Sequence, residues 1–95
     1  MSYLILGASS GLGRELAYIL AKNSNDLIII SRDERDLRAI KSDLEIKFKI
    51  TVKYFVVDAS SFDEIKKFLY SNLNLLSEIQ GILFPVGMLE VKDEI

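Results

Sequence analysis

Three glycines near the start of the sequence have the spacing to bind a phosphate group. They stand as Gly-x-x-x-Gly-x-Gly at Gly7, Gly11 and Gly13, between an apolar run and a helix-forming pattern. Glycine takes the positive backbone angles of a sharp strand-to-helix turn. The first amides of the following helix have no partners inside it and lie at the positive end of its dipole, which favours an anion. The pattern therefore predicts a turn that holds a diphosphate.

Each residue of this turn has a predicted task. Gly7 makes the reversal, Gly11 lets a diphosphate approach the backbone, and Gly13 lets the helix lie close against the strand. Ser9 and Ser10 either donate hydrogen bonds to phosphate or are the small polar residues that turns commonly contain. A P-loop is excluded, because no lysine follows the glycines at the required position.

The elements that position this turn alternate between strand and helix. Runs of apolar and β-branched residues predict strands over residues 3–6, 27–30, 51–57 and 79–84. Apolar spacings of three and four predict helices over residues 11–22, 34–48 and from 62 onward, and residues 89–95 could begin another. The order predicts an α/β fold: a Rossmann-like three-layer αβα domain with a parallel sheet of about four strands in the order 3-2-1-4, the N-terminal half of a doubly wound fold.

Local signals set the helix starts and the faces that point to the core. Asp33 is a predicted N-cap of the second helix. Ser61 and Glu64 have the spacing of a capping box before the third. The predicted apolar face of the first helix consists of Leu12, Leu16, Ile19 and Leu20, and that of the third consists of Phe62, Ile65, Phe68, Leu69, Leu73 and Leu76.

Composition excludes several classes of function. The 95 residues allow one domain, predicted to span residues 1–95, and a net charge of −2 gives no general attraction for nucleic acid or an anionic membrane. The sequence has no cysteine and no histidine, so disulfides, thiol catalysis and the usual transition-metal sites are not expected. No signal-type or membrane-spanning stretch is found, and we expect a cytoplasmic protein.

With these motifs in order, the sequence resembles the N-terminal cofactor-binding half of the short-chain dehydrogenase/reductase family. The glycine string matches the family's glycine motif. Asp58, after the third predicted strand, matches the family's aspartate, which contacts the adenine ring. The stretch 80–83 leading to Gly87 occupies the place of the fourth strand and its Asn-Asn-Ala-Gly motif. The resemblance implies a Rossmann domain that binds a dinucleotide and belongs to an oxidoreductase.

The sequence departs from the family pattern in three places. Leu6 stands where the family usually has threonine, and residues 84–87 keep only the glycine of Asn-Asn-Ala-Gly. The family's catalytic serine and Tyr-x-x-x-Lys pair lie further along than residue 95, so no catalytic residue is predicted here. Tyr18 and Lys22 fit Tyr-x-x-x-Lys literally, but they lie late in the first helix, away from the strand ends, and are interpreted as ordinary helix surface.

The end of the second strand bears on the choice of cofactor. NAD requires an acidic acceptor for the ribose 2′-hydroxyl, whereas NADP requires a cation for the 2′-phosphate. Arg32 lies about 20 residues after the glycine string, the usual distance, with Ser31 beside it. We expect Arg32 to clamp the 2′-phosphate with Ser31 as a second donor, which favours NADP. In the alternative, Arg32 is solvated and Asp33 accepts from the ribose 2′-hydroxyl of NAD, although Asp33 is better explained as a helix cap.

The complete predicted cofactor site is a set of eleven residues: Gly7, Ser9, Ser10, Gly11, Leu12, Gly13, Ser31, Arg32, Asp58, Ala59 and Gly87. Two of them have a second interpretation. Asp58 accepts the adenine amino group or only stabilises the start of the next helix. Gly87 permits close approach of the cofactor or merely ends a strand.

Two functions remain open. In the first, the chain is a truncated, cofactor-binding portion of an NADP-dependent oxidoreductase that exchanges hydride with a carbonyl or alcohol, and is inactive alone. In the second, it is a complete, non-catalytic module that binds nucleotides or associates with itself. The fourth strand discriminates between them: a free-standing module should carry charge on this edge, whereas Ile82, Leu83 and Phe84 are apolar, which favours the truncated oxidoreductase. We therefore expect the isolated chain to form a homo-oligomer that pairs through this edge.

Overall fold

The computed structural model describes residues 2–9 and 11–84, and a four-stranded parallel sheet is its centre. The strands are β1 (Ser2–Leu6), β2 (Asp26–Ser31), β3 (Val52–Val56) and β4 (Gly81–Leu83), in the order β3-β2-β1-β4. The helices are α1 (Gly11–Lys22), α2 (Glu34–Phe48), α3 (Phe62–Ser71) and α4 (Leu73–Leu76). The predicted α/β class and the strand order are confirmed.

Both faces of the sheet are buried, which explains the unbroken apolar runs in the central strands. Successive strand side chains point to opposite faces. Ile5 and Ile29 pack with α1 and α2 in one core, whereas Leu4, Ile30 and Phe68 belong to a second core under α3 and α4. The molecule therefore has three layers, as expected. In the part of the chain that the structure describes, no helix is long and apolar enough to cross a membrane.

The face that α1 turns to the sheet differs from the prediction. Its buried residues are Gly13, Ala17 and Ala21, whereas Leu12 and Ile19 are 52% and 53% exposed. The spacing of the buried set is four residues, so the helical period is correct but the face is rotated. The small residues mark the buried face of α1, because they let the helix axis approach the strands closely.

The start of α2 is as predicted. The Asp33 carboxylate accepts a hydrogen bond from the Asp36 amide at 3.2 Å, and the helix runs to Phe48. Its buried residues Leu37, Ile40 and Leu44 recur at spacings of three and four. This helix is therefore specified by local signals.

The segment after β3 folds as two helices instead of one long one. α3 ends at Ser71, and the side-chain amide of Asn72 donates to the Phe68 carbonyl at 2.8 Å. Two residues of the predicted apolar face, Phe62 and Leu73, are exposed. The capping box is half formed: the Ser61 hydroxyl accepts from the Glu64 amide, but the Glu64 carboxylate accepts from another residue, as described below.

An ion pair of α2 occupies the outer edge of β3 at its first residue. Lys41 and Glu45 lie one helical turn apart, with Nζ and Oε2 2.9 Å from each other. Lys41 Nζ donates to the Val52 carbonyl at 2.6 Å, and Glu45 Oε2 accepts from the Val52 amide at 3.0 Å. Both the backbone N–H and the backbone C=O of this edge residue are therefore occupied by side chains. We call Lys41, Glu45 and Val52 the edge clamp.

The side chain of Tyr18 joins α1 to α2. Its hydroxyl donates to Asp43, and Lys47 Nζ lies 3.3 Å from the same carboxylate oxygen. Burial, and then the hydrogen bond to Asp43, raises the pKa of Tyr18, and that hydrogen bond lowers the pKa of Asp43. The Tyr18 hydroxyl thus connects two helices.

Gly13→Ala is expected to reduce the free energy of unfolding by about 1–3 kcal/mol. A Cβ atom at this position would lie 2.3 Å from the Gly7 carbonyl oxygen and 3.0 Å from Ala8 Cα, both backbone atoms. Gly11→Ala is the matched control, because its Cβ would meet nothing within 4 Å. Urea unfolding followed by circular dichroism measures both, and equal midpoints would contradict this account of α1 packing.

The edge clamp predicts a specific dependence of stability on pH. The hydrogen bond from Lys41, and then that from the Val52 amide, holds the pKa of Glu45 below its ordinary value of 4.5. A carboxyl whose pKa is lower in the folded state stabilises the fold above the unfolded-state pKa, and this contribution is lost as the pH falls through the folded-state value.

Glu45→Gln should therefore lower the stability at pH 7 and flatten the loss of stability below about pH 4.5. Urea unfolding at a series of pH values measures this, with Glu15→Gln on the exposed side of α1 as the control. Parallel pH profiles of stability for the wild type and Glu45→Gln would show that the edge clamp does not contribute to the pH dependence of unfolding.

Candidate functional site

The glycine turn is fixed to the neighbouring strand by its own backbone. Gly7 has φ 80°, the left-handed region that glycine adopts without strain. The amides of Gly7 and Ala8 both donate to the Ile30 carbonyl, at 2.8 and 3.0 Å. The turn between β1 and α1 is therefore held at the carboxyl end of β2. Beyond it, the Cα of Gly11 faces open space.

The carboxyl ends of the four parallel strands surround a cleft beside this turn. The loops that follow β1, β2 and β3 meet there, as expected for the ligand-binding edge of such a sheet. The cleft has a volume of about 480 Å³ and is lined by Gly7, Ser9, Ser31, Arg32, Asp58, Ala59, Ser60, Phe62, Ile65 and Phe84. Six of these residues belong to the predicted cofactor site, so the structure brings its separate segments together.

A chain of hydroxyl hydrogen bonds connects the first two loops. The Ser9 and Ser31 hydroxyl oxygens are 2.6 Å apart, and the Ser31 oxygen also accepts from the Asp33 amide at 3.1 Å. Ser31 is only 4% exposed. It therefore joins the glycine turn to the start of α2, and its role as a donor to a cofactor stays a prediction.

The charged groups of the cleft are Arg32 and Asp58. Arg32 Nη1 lies 3.8 Å from Asp58 Oδ2, and the Arg32 side chain is 78% exposed. An exposed ion pair of this length contributes little to stability. The arginine is therefore free to exchange the carboxylate for another anion in the cleft, and it can move without breaking the core.

Asp58 is held in place by the turn that it begins. Its Oδ1 accepts from the Ser60 amide at 2.9 Å and from the Ser60 hydroxyl at 2.6 Å, and its own amide donates to Glu64 Oε1 at 3.1 Å. The Ser60 hydroxyl, then the Ser60 amide, and also the nearby Arg32 lower the pKa of Asp58. The carboxylate thus stays ionised and can accept a hydrogen bond from a ligand.

The remaining predicted residues lie outside the lining of the cleft. Gly11 and Leu12 are exposed in the first turn of α1, and Gly13 is buried against the glycine turn. Ser10 and Gly87 fall outside the described residues, as does the helix expected over 89–95. Among the described residues, no group of three or more acidic side chains could hold a metal ion.

Sequence reasoning missed four residues of the cleft. Ser60 was given no role, Phe62 and Ile65 were placed on the apolar face of the third helix, and Phe84 was placed at the end of the fourth strand. The available signal was position: Phe62 comes directly after the N-cap of α3 and four residues after Asp58. A side chain there lies at the carboxyl edge of the sheet, close to where a ligand would bind.

The family model of the short chain dehydrogenases matches residues 2–94. Among curated proteins, the very-long-chain 3-oxoacyl-CoA reductase of Kluyveromyces lactis is 45% identical over 86 residues, which cover 90% of this chain and 23% of that protein. The enzyme of the same name from Debaryomyces hansenii is 31% identical and is covered over 29% of its length. The chain thus spans less than a third of these relatives.

Solved structures agree with this assignment. The alcohol dehydrogenase of Thermococcus sibiricus, complexed with 5-hydroxy-NADP, superposes with a TM-score of 0.76 at 25% identity, over 85% of this chain and 34% of that one. A short-chain dehydrogenase of Sphingobium yanoikuyae in complex with NADPH gives a TM-score of 0.68 at 27% identity, over 74% of this chain and 27% of that one. The glycine turn, the strand order and the matched family model agree, and the chain belongs to the short-chain dehydrogenase family of oxidoreductases.

Proposed function

We propose that this chain binds the adenosine and diphosphate portion of NADP in an oxidoreductase that moves hydride between the nicotinamide and a carbonyl or alcohol. The observation that carries the proposal is the arrangement at the end of β2. The nearest acid, Asp33, is used as the N-cap of α2, whereas Arg32 is exposed at the cleft.

The charges at this edge favour a 2′-phosphate over a free ribose hydroxyl. Asp33 Oδ1 already accepts from the Asp36 amide as the N-cap of α2, so a ribose 2′-hydroxyl would have to share this carboxylate with the end of the helix. The planar guanidinium of Arg32 matches the geometry of a phosphate and can donate two parallel hydrogen bonds. Arg32 would then release Asp58, whose Oδ2 is left to accept from the adenine amino group.

The glycine turn has the features that a diphosphate needs. The open space beside Gly11 lets phosphate oxygens approach the backbone at the first turn of α1, where the helix dipole favours negative charge. The Ser9 hydroxyl lines the same cleft. These contacts would hold the cofactor across the carboxyl ends of β1 and β2. The residues present therefore fit a dinucleotide.

When bound, the nicotinamide supplies or accepts the hydride, and the residues of this chain bind and orient the cofactor. We propose that the catalytic serine and the Tyr-x-x-x-Lys pair come from sequence outside these 95 residues. The names of the curated relatives suggest the substrate class: a 3-oxoacyl thioester, whose ketone would be reduced by NADPH.

Self-association of the 95-residue chain is supported by one observation. β4 is an edge strand of the described sheet, and Ile82 in it is 51% exposed. An apolar edge strand offers unpaired backbone groups to another chain. We propose that copies of the 95-residue chain pair through β4.

Arg32→Ala is expected to weaken NADPH binding about 10–100-fold, because a hydrogen bond to a charged phosphate is worth about 1.5–3 kcal/mol. NADH, which has no 2′-phosphate, should bind nearly equally to the wild type and this variant. Calorimetric titration of the 95-residue chain measures both. Arg35→Ala, which removes an exposed arginine of α2, is the control. Tighter binding of NADH by the wild type, or an unchanged NADPH preference in Arg32→Ala, would contradict the proposal.

Ile82→Lys is expected to convert a self-associated wild-type chain into a monomer, because a charged side chain on an edge strand opposes pairing. Light scattering coupled to gel filtration gives the mass in solution. Ile46→Lys is the matched control, since Ile46 is 72% exposed on α2, away from β4. A wild-type chain that is already monomeric would rule out pairing through β4.

A further inference from the structure

Phe62 is exposed to a degree that packing does not explain. It is 78% exposed, although it is a large apolar side chain, and it lines the cleft together with Arg32 and Asp58. The other ring of the same segment, Phe68, is 6% exposed and packs edge-on against Phe55, with ring centroids 4.9 Å apart. α3 therefore has its core aromatic already, and Phe62 is left facing the cleft.

The backbone around Phe62 is held by several hydrogen bonds. The Ser61 amide donates to the Asp58 carbonyl at 3.0 Å, which closes a tight turn. The Ser61 hydroxyl then caps α3 by accepting from the Glu64 amide. Phe62 is the first residue of the helix that follows. Because the turn is fixed at both ends, the ring is attached to a rigid part of the cleft wall.

The side chains that share the cleft with Phe62 have complementary chemistry. Ala59, Ile65 and Phe84 provide apolar surface, whereas Arg32 and Asp58 provide a cation and an acceptor. A flat heteroaromatic ring with an exocyclic amino group matches this set. Its faces would contact apolar and aromatic side chains or the guanidinium plane, and its amino group would donate to the carboxylate.

We propose that Phe62 is a positioning residue for the adenine ring, which stacks on the exposed face of the phenyl group. This inference rests on the proposed function and adds to it a residue that contacts the base. Stacking on an aromatic side chain is one of the stronger contacts available to a base in an open site. It explains why the cleft carries an exposed aromatic ring at a helix terminus where a polar residue would serve equally well.

The test uses adenosine 2′,5′-bisphosphate, which contains the base and the 2′-phosphate but no nicotinamide. Calorimetry should show that Phe62→Ala weakens its binding about tenfold or more. Phe62→Tyr, which keeps a ring, should bind within about threefold of the wild type. Tyr70→Ala is the matched control, because Tyr70 is an exposed aromatic residue (69%) two turns further along the same helix.

A spectroscopic readout separates stacking from a structural effect. In the wild type, the adenine H2 and H8 resonances should move upfield on binding, because they lie over a phenyl ring, and this shift should be absent with Phe62→Ala. The unfolding midpoint without ligand should be unchanged in that variant, since the side chain is mostly exposed.

The outcomes distinguish this inference from the proposed function. If the wild type binds the bisphosphate, but Phe62→Ala binds it equally well or the adenine resonances do not shift, the role of Phe62 is wrong and the proposed function stands. If the folded wild type binds neither the bisphosphate nor NADPH, both are wrong. The shift in the wild type does not depend on how well any variant folds.

Discussion

The close contact between α1 and the turn before it determines where the rest of the site can lie. Gly13 packs so closely that a single methyl group would collide with the Gly7 carbonyl. The Gly7 and Ala8 amides of this turn donate to the Ile30 carbonyl near the end of β2, where the chain enters the cleft. Backbone contacts therefore fix the helix, the turn and the second strand relative to one another, and these elements carry the side chains that line the cleft.

The elements were predictable where the information is local. Asp33 and the apolar spacing after it specify α2, and the alternation of elements specifies the strand order. The buried face of α1 was not predictable in this way, because Ala17 and Ala21 carry little hydrophobic signal and are buried only because the sheet is near. A helix face that allows close approach to the sheet consists of small residues, whereas the large apolar residues Leu12 and Ile19 remain exposed.

The candidate site also combines features that the sequence predicts with features that depend on packing. A topological rule was enough to bring the glycine turn, Arg32 and Asp58 to one edge of the sheet. The rule says nothing about whether an aromatic residue beside them faces the core or the cleft, so Phe62 was assigned to the wrong environment. The hydroxyl link between Ser9 and Ser31 was missed for a related reason: it joins residues distant in sequence, and each serine looks like an ordinary turn residue.

The edge clamp makes the two sides of the sheet unequal. At the start of β3, the Val52 peptide already holds a lysine and a carboxylate, so an incoming strand would have to displace a charged pair to reach it. The described part of β4 has no comparable ion pair on its backbone. Because pairing along β3 is opposed at its first residue, extension through β4 is favoured, and repeated head-to-tail addition, which needs two receptive edges, is disfavoured. Assembly through that edge would be closed by symmetry at two copies, and an open fibre would be avoided.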